Sequence, residues 1–141
     1  MMYNKMFKNI KEPTVLAVRN CIKQGLFRVD INTRKELLYS LHRSLCEVYN
    51  IQCITFIIQD DLGRPGFFNR NTKEIVINKP SLVTYLHEFC HYMRIHTHKS
   101  NSEDIARGWS ISLYYLATPK LCTKAIESGK IIHQNKISED N

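Results

Sequence analysis

The chain has 141 residues, of which 43% are apolar and 23% are charged. This composition allows a buried core and excludes an intrinsically disordered protein, and the length suits one domain over residues 1–141. No apolar run approaches the ~18 residues that a membrane-spanning helix needs. The first residues, Met1 to Lys5, lack the apolar segment of a secretory signal. We therefore expect a cytoplasmic protein with no membrane partner.

The cysteine content limits the kinds of structural site, and the net charge indicates the kinds of partner. The five cysteines are odd in number and include no CxxC pair, which argues against a disulfide framework and against a zinc ribbon. The net charge is +7, and many of the positive residues precede residue 36. A basic N-terminal region of this kind suits nucleic acid or an acidic protein as partner. No DNA- or RNA-reading motif accompanies it.

The first third of the chain is predicted to be helical. Apolar spacing favours a short helix over 14–25, capped by Thr14 and ended by Gly25. A firmer helix is predicted over 33–49, where Thr33 and Glu36 fit a capping box. Residues 1–50 therefore form a helical N-terminal part.

The next segments predict a small sheet and two long helices. Residues 51–59 are rich in β-branched and aromatic residues, as strands are. Residues 66–69 and 74–78 predict a β-hairpin, and helices are expected near 81–95 and 102–117. The fold class is thus α+β, with a short, mainly antiparallel three-stranded sheet. The segment 51–119 forms the catalytic core, and a frayed tail is expected at 133–141.

The helix predicted near 81–95 carries the motif His87-Glu88-Phe89-Cys90-His91, which is HExxH. Residues i and i+4 of a helix share one face, so two imidazoles at this spacing can bind one zinc ion. The adjacent Glu88 then reaches a water molecule at the metal as general base. On a helical wheel the polar trio lies opposite an apolar stripe, which consists of Leu82, Leu86, Phe89 and Met93.

Zinc needs a third protein ligand, and the sequence offers several. The extended metzincin motif fails, because Arg94 and Thr97 stand where it requires glycine and histidine. The remaining candidates are His96, His98, Glu103 and Asp104. We favour Glu103, because it lies on the edge of the apolar stripe of the next helix and can face the HExxH helix. The competing interpretation is a capping box with Ser100 or an ion pair with Arg107.

Over about residues 51–119 the chain resembles the gluzincin group of zinc peptidases, especially the ImmA/IrrE-type peptidases and minigluzincins. The shared features are a strand, a hairpin, the HExxH helix and a second helix. In that family the second helix often reads E-x-x-A-x-x-F-A, and the matching positions here are Glu103, Ala106, Trp109 and Ser110.

The resemblance implies that His87, His91 and Glu103 bind Zn²⁺ and that Glu88 is the general base. Two features depart from the family pattern. Eleven residues separate His91 from Glu103, which is few, and Pro119 falls later than its usual counterpart. SprT-like proteases are similar in joining HExxH to a basic surface, but they usually take a further histidine as third ligand.

The function expected from these residues is hydrolysis of peptide bonds in a protein or peptide substrate. Glu88 takes a proton from water as it attacks a peptide carbonyl and passes it to the leaving amine. Oxyanion donors are expected among His96, His98 and Tyr114. If the strand at 74–78 is an edge strand, as in zincins, it pairs with an extended substrate. The substrate-binding residues would then be Ile75, Val76, Ile77 and Asn78.

Two other hypotheses remain open at this point. One is a catalytically silent, peptidase-like binding module that recognises DNA or a protein through its basic surface. The other is a toxin or antidefence effector of a mobile element, which is compatible with catalysis. The presence of Glu88 favours an active peptidase, because a binding module has no chemical need for it.

Overall fold

The computed structural model describes residues 10–97 and 100–129, and this part of the chain has an α+β fold. Five helices and three strands follow one another within these ranges. In chain order they are α1 (Glu12–Lys23), α2 (Ile31–Val48), β1 (Thr55–Ile58), β2 (Gly66–Asn69), β3 (Glu74–Ile77), α3 (Leu82–Ile95), α4 (Glu103–Ala117) and α5 (Pro119–Glu127). No helix was expected at α5, and the tail at 133–141 lies outside the described residues.

The two N-terminal helices begin earlier than predicted, so both predicted caps are wrong. Thr14 lies inside α1, where its buried hydroxyl donates to Tyr49 Oη at 2.9 Å and ties α1 to the end of α2. Asp30 precedes α2, and its carboxylate accepts a hydrogen bond from Thr33. Both threonines therefore bond to side chains of other residues instead of capping their own helix.

The sheet is mixed, with the strand order β1-β3-β2. β1 runs parallel to β3 and β2 runs antiparallel to it, so the expected mainly antiparallel sheet is wrong. The expectation that β3 is an edge strand is also wrong. Its main chain is paired to β1 on one side and to β2 on the other. A run of three apolar residues suits this central position, because a central strand is buried. These residues are Ile75, Val76 and Ile77, all at most 5% exposed.

The core lies between the sheet and α3, with α4 packed along α3. The predicted apolar stripe of α3 is confirmed, because Leu82, Leu86, Phe89 and Met93 are all buried. The ring of Phe89 stacks on that of Trp109 in α4, with 6.3 Å between centroids. This packing leaves the polar face of α3 directed away from the core.

Part of the basic charge of the N-terminal region is used inside the fold. Arg19 donates to the carbonyl oxygens of Leu116 and Ala117, which lie at the end of α4. Arg34 donates to the carbonyl oxygens of Leu26 and Val29. Both guanidinium groups thereby satisfy carbonyls that lack a helical partner. In the described ranges, no helix is long and apolar enough to cross a lipid bilayer.

Candidate metal centre

Helix α3 presents His87, Glu88 and His91 on one side. The helix begins after Ser81, whose side chain accepts a hydrogen bond from the Thr84 amide at 3.3 Å. The His87 and His91 rings lie one helical turn apart, with 5.0 Å between their centroids. The expectation that these two imidazoles share a face of one helix is confirmed.

Helix α4 brings a carboxylate to both imidazoles. Ser102 caps this helix by accepting from the Ile105 amide, and Glu103 is its first residue. One Glu103 carboxylate oxygen lies 3.0 Å from His87 Nε2, and the other lies 2.6 Å from His91 Nε2. Among the candidates for a third ligand that the structure describes, Glu103 is thus the residue that meets the histidine pair.

Asn101 fixes the orientation and the tautomer of His91. Its amide nitrogen donates to the His91 carbonyl at 3.0 Å, so its amide oxygen faces His91 Nδ1 at 2.8 Å. An amide oxygen only accepts, and Nδ1 must therefore carry the hydrogen. In the neutral ring, Nε2 then carries a lone pair directed at the Glu103 carboxylate.

In this arrangement the Nε2 lone pair of His91 and the Glu103 carboxylate, which are both acceptors, face each other. Two acceptors in contact favour a bound cation. His91 Nε2 is buried and makes no hydrogen bond, although Glu103 Oε2 lies only 2.6 Å away. The metal-binding atoms of His87, His91 and Glu103 all lie within 4.8 Å of one another. Two imidazole nitrogens and one carboxylate are a donor set that zinc uses in catalytic sites, with a fourth position left for water.

The protonation states of the other two ligands also suit a metal. Burial lowers the pKa of His87, and the hydrogen bond that its ring forms to the Glu103 carboxylate opposes this only in part. The ring is therefore neutral at pH 7, as a metal ligand must be. Partial burial raises the pKa of Glu103, but its interactions with His87 and His91 outweigh this effect and hold the pKa below its ordinary value.

Glu88 lies beside the ligands but is not one of them. Its side chain is 8% exposed, and burial raises the pKa of its carboxyl to about 7. Electrostatic interactions with His91 and Arg64 oppose this rise, whereas the charge of Glu103 adds to it. A carboxyl group in such surroundings exchanges protons near neutral pH, which is what a general base requires.

The site opens into a cleft of about 380 Å³ between α3, α4 and the start of β2. Its lining contains two arginines that were not expected from the sequence, Arg64 before β2 and Arg107 on α4. Arg64 belongs to a segment whose only sequence signal is turn chemistry. The sequence analysis considered Arg107 only as an ion-pair partner of Glu103, whereas its guanidinium bonds to Asp104 at 2.9 Å. Asp104 is thus engaged away from the histidine pair.

Two of the remaining candidates for oxyanion donor or alternative ligand, His96 and Tyr114, are not among the residues that line this cleft. His96 ends α3, and its ring packs edge-on against Tyr92 at 5.2 Å. Tyr114 is buried against Phe27, with 6.0 Å between ring centroids, and burial raises its pKa to about 12. His98 lies outside the described residues. The structure therefore does not bring His96 or Tyr114 to the lining of the cleft.

The residues expected to bind substrate on β3 are also corrected. Ile75, Val76 and Ile77 are buried in the central strand, with their main chain paired to both neighbours. Asn78 is half-buried, and its side-chain oxygen accepts from the Leu62 amide at 3.3 Å. The edge strand near the site is β2, whose first residue, Gly66, lines the cleft.

A second group of residues has the composition of a metal site but is already bonded internally. It consists of His42, Cys46 and Cys53. His42 Nε2 donates to the carbonyl of Ile54 at 2.8 Å, and His42 Nδ1 lies 2.8 Å from Tyr85 Oη. Burial lowers the pKa of His42, so the neutral ring accepts from the tyrosine. Both ring nitrogens are thus engaged, and His42 acts as a polar link in the core.

Comparisons with known proteins gave no match to a family model, a curated protein or a solved structure. The interpretation of the site therefore depends on the chemistry and geometry of its own residues.

Proposed function

We propose that this protein is a zinc-dependent endopeptidase in which His87, His91 and Glu103 hold the metal and Glu88 is the general base. The observation that carries the proposal is the meeting of three metal-binding atoms, from two helices, at the mouth of a cleft. The His91 nitrogen that faces a carboxylate without a hydrogen bond supports a cation bound by both groups. The type of site is that of a gluzincin, as the sequence resemblance implies.

Zinc bound by these residues supplies a Lewis acid, which acidifies water and polarises a peptide carbonyl. Glu88 lies next in sequence to one ligand and lines the same cleft. From there its carboxylate takes a proton from the attacking water and delivers it to the leaving amine. Asn101 holds the His91 ring with its Nε2 lone pair directed at the metal position.

The outer edge of β2, which has no partner strand among residues 10–97 and 100–129, is the position at which an extended substrate pairs. β2 is bonded to β3 on one side, and its first residue lines the cleft beside Glu88. Addition of a substrate strand there uses main-chain hydrogen bonds and places a peptide bond near the metal ligands. This gives β2 the role that the sequence analysis assigned to β3.

Metal analysis and one substitution test the proposal together. Purified protein should take up about one zinc per chain, and dialysis against a chelator should remove both metal and activity. Activity is measured by mass spectrometry of the fragments produced from unfolded β-casein. We expect Glu88→Gln to keep the zinc and to lose at least ~100-fold in cleavage rate, because the proton acceptor is gone.

Glu47→Gln is the matched control, since it removes an exposed carboxylate from α2, outside the cleft lining. It should leave both zinc content and cleavage unchanged. Failure of the wild-type protein to bind zinc would contradict the metal centre. Full cleavage by Glu88→Gln would contradict the assignment of the base.

A further inference from the structure

The cleft contains two positive side chains that the proposed metal centre does not use. Arg64 enters from the segment before β2, and Arg107 enters from α4, one turn beyond Glu103. The two residues line the same cavity as His87 and Glu88, although 42 positions separate them in the chain. The fold therefore brings two guanidinium groups to one cleft from independent elements.

The two guanidinium groups keep most of their hydrogen-bonding capacity. Within residues 10–97 and 100–129, Arg64 forms no ion pair, and its guanidinium lies 5.3 Å from the centre of the Phe67 ring. Arg107 bonds to Asp104 through Nη1 alone, at a position where the Asp104 side chain is 77% exposed. Its other donors are left for a ligand, because a guanidinium carries five N–H groups.

We propose that Arg64 and Arg107 form a subsite for a carboxylate of the substrate, so that the enzyme selects peptides with an acidic group next to the cleaved bond. A guanidinium binds a carboxylate through two parallel hydrogen bonds, which confers selectivity over a neutral amide. This subsite rests on the proposed peptidase function. The carboxylate comes from an Asp or Glu side chain or from a free C terminus, and the experiment separates these two sources.

The probe is a set of alanine-based octapeptides in which one Glu or Gln occupies each position in turn. Each peptide is made with a free and with an amidated C terminus. Cleavage is measured for the zinc-loaded wild type, Arg64→Gln, Arg107→Gln, the double variant and Arg64→Lys. Lys79→Gln is the control, because Lys79 lines the neighbouring cavity but not the one that holds Glu88.

We expect at least a tenfold preference for Glu over Gln at one position, or for the free over the amidated C terminus. The first result identifies an acidic side chain and the second a terminal carboxylate. The preference should fall to near unity in the double variant, persist in part in Arg64→Lys and stay intact in Lys79→Gln. A preference that survives in the double variant, or equal cleavage of all peptides by the wild type, overturns the subsite.

A binding measurement separates this inference from the proposed function. Fluorescence anisotropy with the same peptides and zinc-loaded Glu88→Gln reports recognition without catalysis. If the wild type cleaves none of the peptides, cleavage of β-casein decides the peptidase proposal, and the subsite then stands or falls by binding. The subsite is supported if the peptides with the carboxylate bind more tightly and if this difference disappears when Glu88→Gln also carries Arg64→Gln and Arg107→Gln. Equal binding of all peptides overturns the subsite.

Discussion

The buried carboxyl group of Glu88 should make the stability of the chelator-treated protein depend on pH. Burial raises the pKa of this group from its ordinary value of 4.5 to about 7. Below pH 4.5 the folded and unfolded chains both hold the proton, and Glu88 then contributes no pH dependence. Between pH 4.5 and 7 the unfolded chain releases the proton before the folded protein does, so the free energy of unfolding falls as the pH rises.

The size of this effect follows from the difference between the two pKa values. Each unit corresponds to about 1.4 kcal/mol, and the full loss above pH 7 is therefore about 3 kcal/mol. Glu88→Gln has no proton to release. Relative to the wild type, the variant should thus gain about 3 kcal/mol in unfolding free energy between pH 4.5 and pH 8.

The assay is urea unfolding at several pH values, followed by far-UV circular dichroism, with chelator present throughout. The quantity compared is the difference between variant and wild type, in which the contributions of other titrating groups largely cancel. Glu47→Gln again serves as control for the loss of one carboxylate. A difference between Glu88→Gln and wild type that does not change from pH 4.5 to 8 would refute the argument that burial raises this pKa.

Three further predictions concern residues that support the site and the core. Asn101→Ala should weaken zinc binding roughly tenfold in competition with a chromophoric chelator, because the His91 ring loses its orienting acceptor, while the thermal midpoint of the metal-free protein changes little. His42→Phe should lower the unfolding free energy in urea by about 1–3 kcal/mol, since the buried Ile54 carbonyl loses its donor; an unchanged midpoint would contradict this role. Gly66→Ala should reduce stability by about 1–3 kcal/mol, because the added methyl group would lie only 2.8 Å from a carbonyl oxygen of β3; a variant as stable as wild type would show that β2 can shift.

The candidate metal-binding pair was predictable because its geometry is local. Helical spacing places His87 and His91 on one face, and the same periodicity predicted the buried stripe of α3. Glu103 was the favoured third ligand because it lies at the edge of the apolar stripe of α4. The structure adds the distances of 3.0 and 2.6 Å from its carboxylate to the two histidines.

The wrong predictions concern the position of β3 in the sheet and the caps of the first two helices. Residues 74–77 are recognisable as a strand, but their neighbours in the sheet are not encoded within the segment. The apolar run could have indicated a central position, yet the strand was expected at the edge. Threonine is a common helix cap, but the Thr14 hydroxyl donates to Tyr49 in a tertiary contact and the Thr33 hydroxyl donates to the preceding Asp30.

The sequence by itself determined the chemistry that α3 can perform, because residue type and helical period fix which side chains share a face. Only the tertiary structure decided what surrounds that face. The packing of α4 on α3 brings Glu103 to the histidines, Asn101 to His91, and Arg107 to a cleft shared with Arg64. These contacts join segments that are separated along the chain, and their geometry depends on how whole elements pack, which no local pattern specifies.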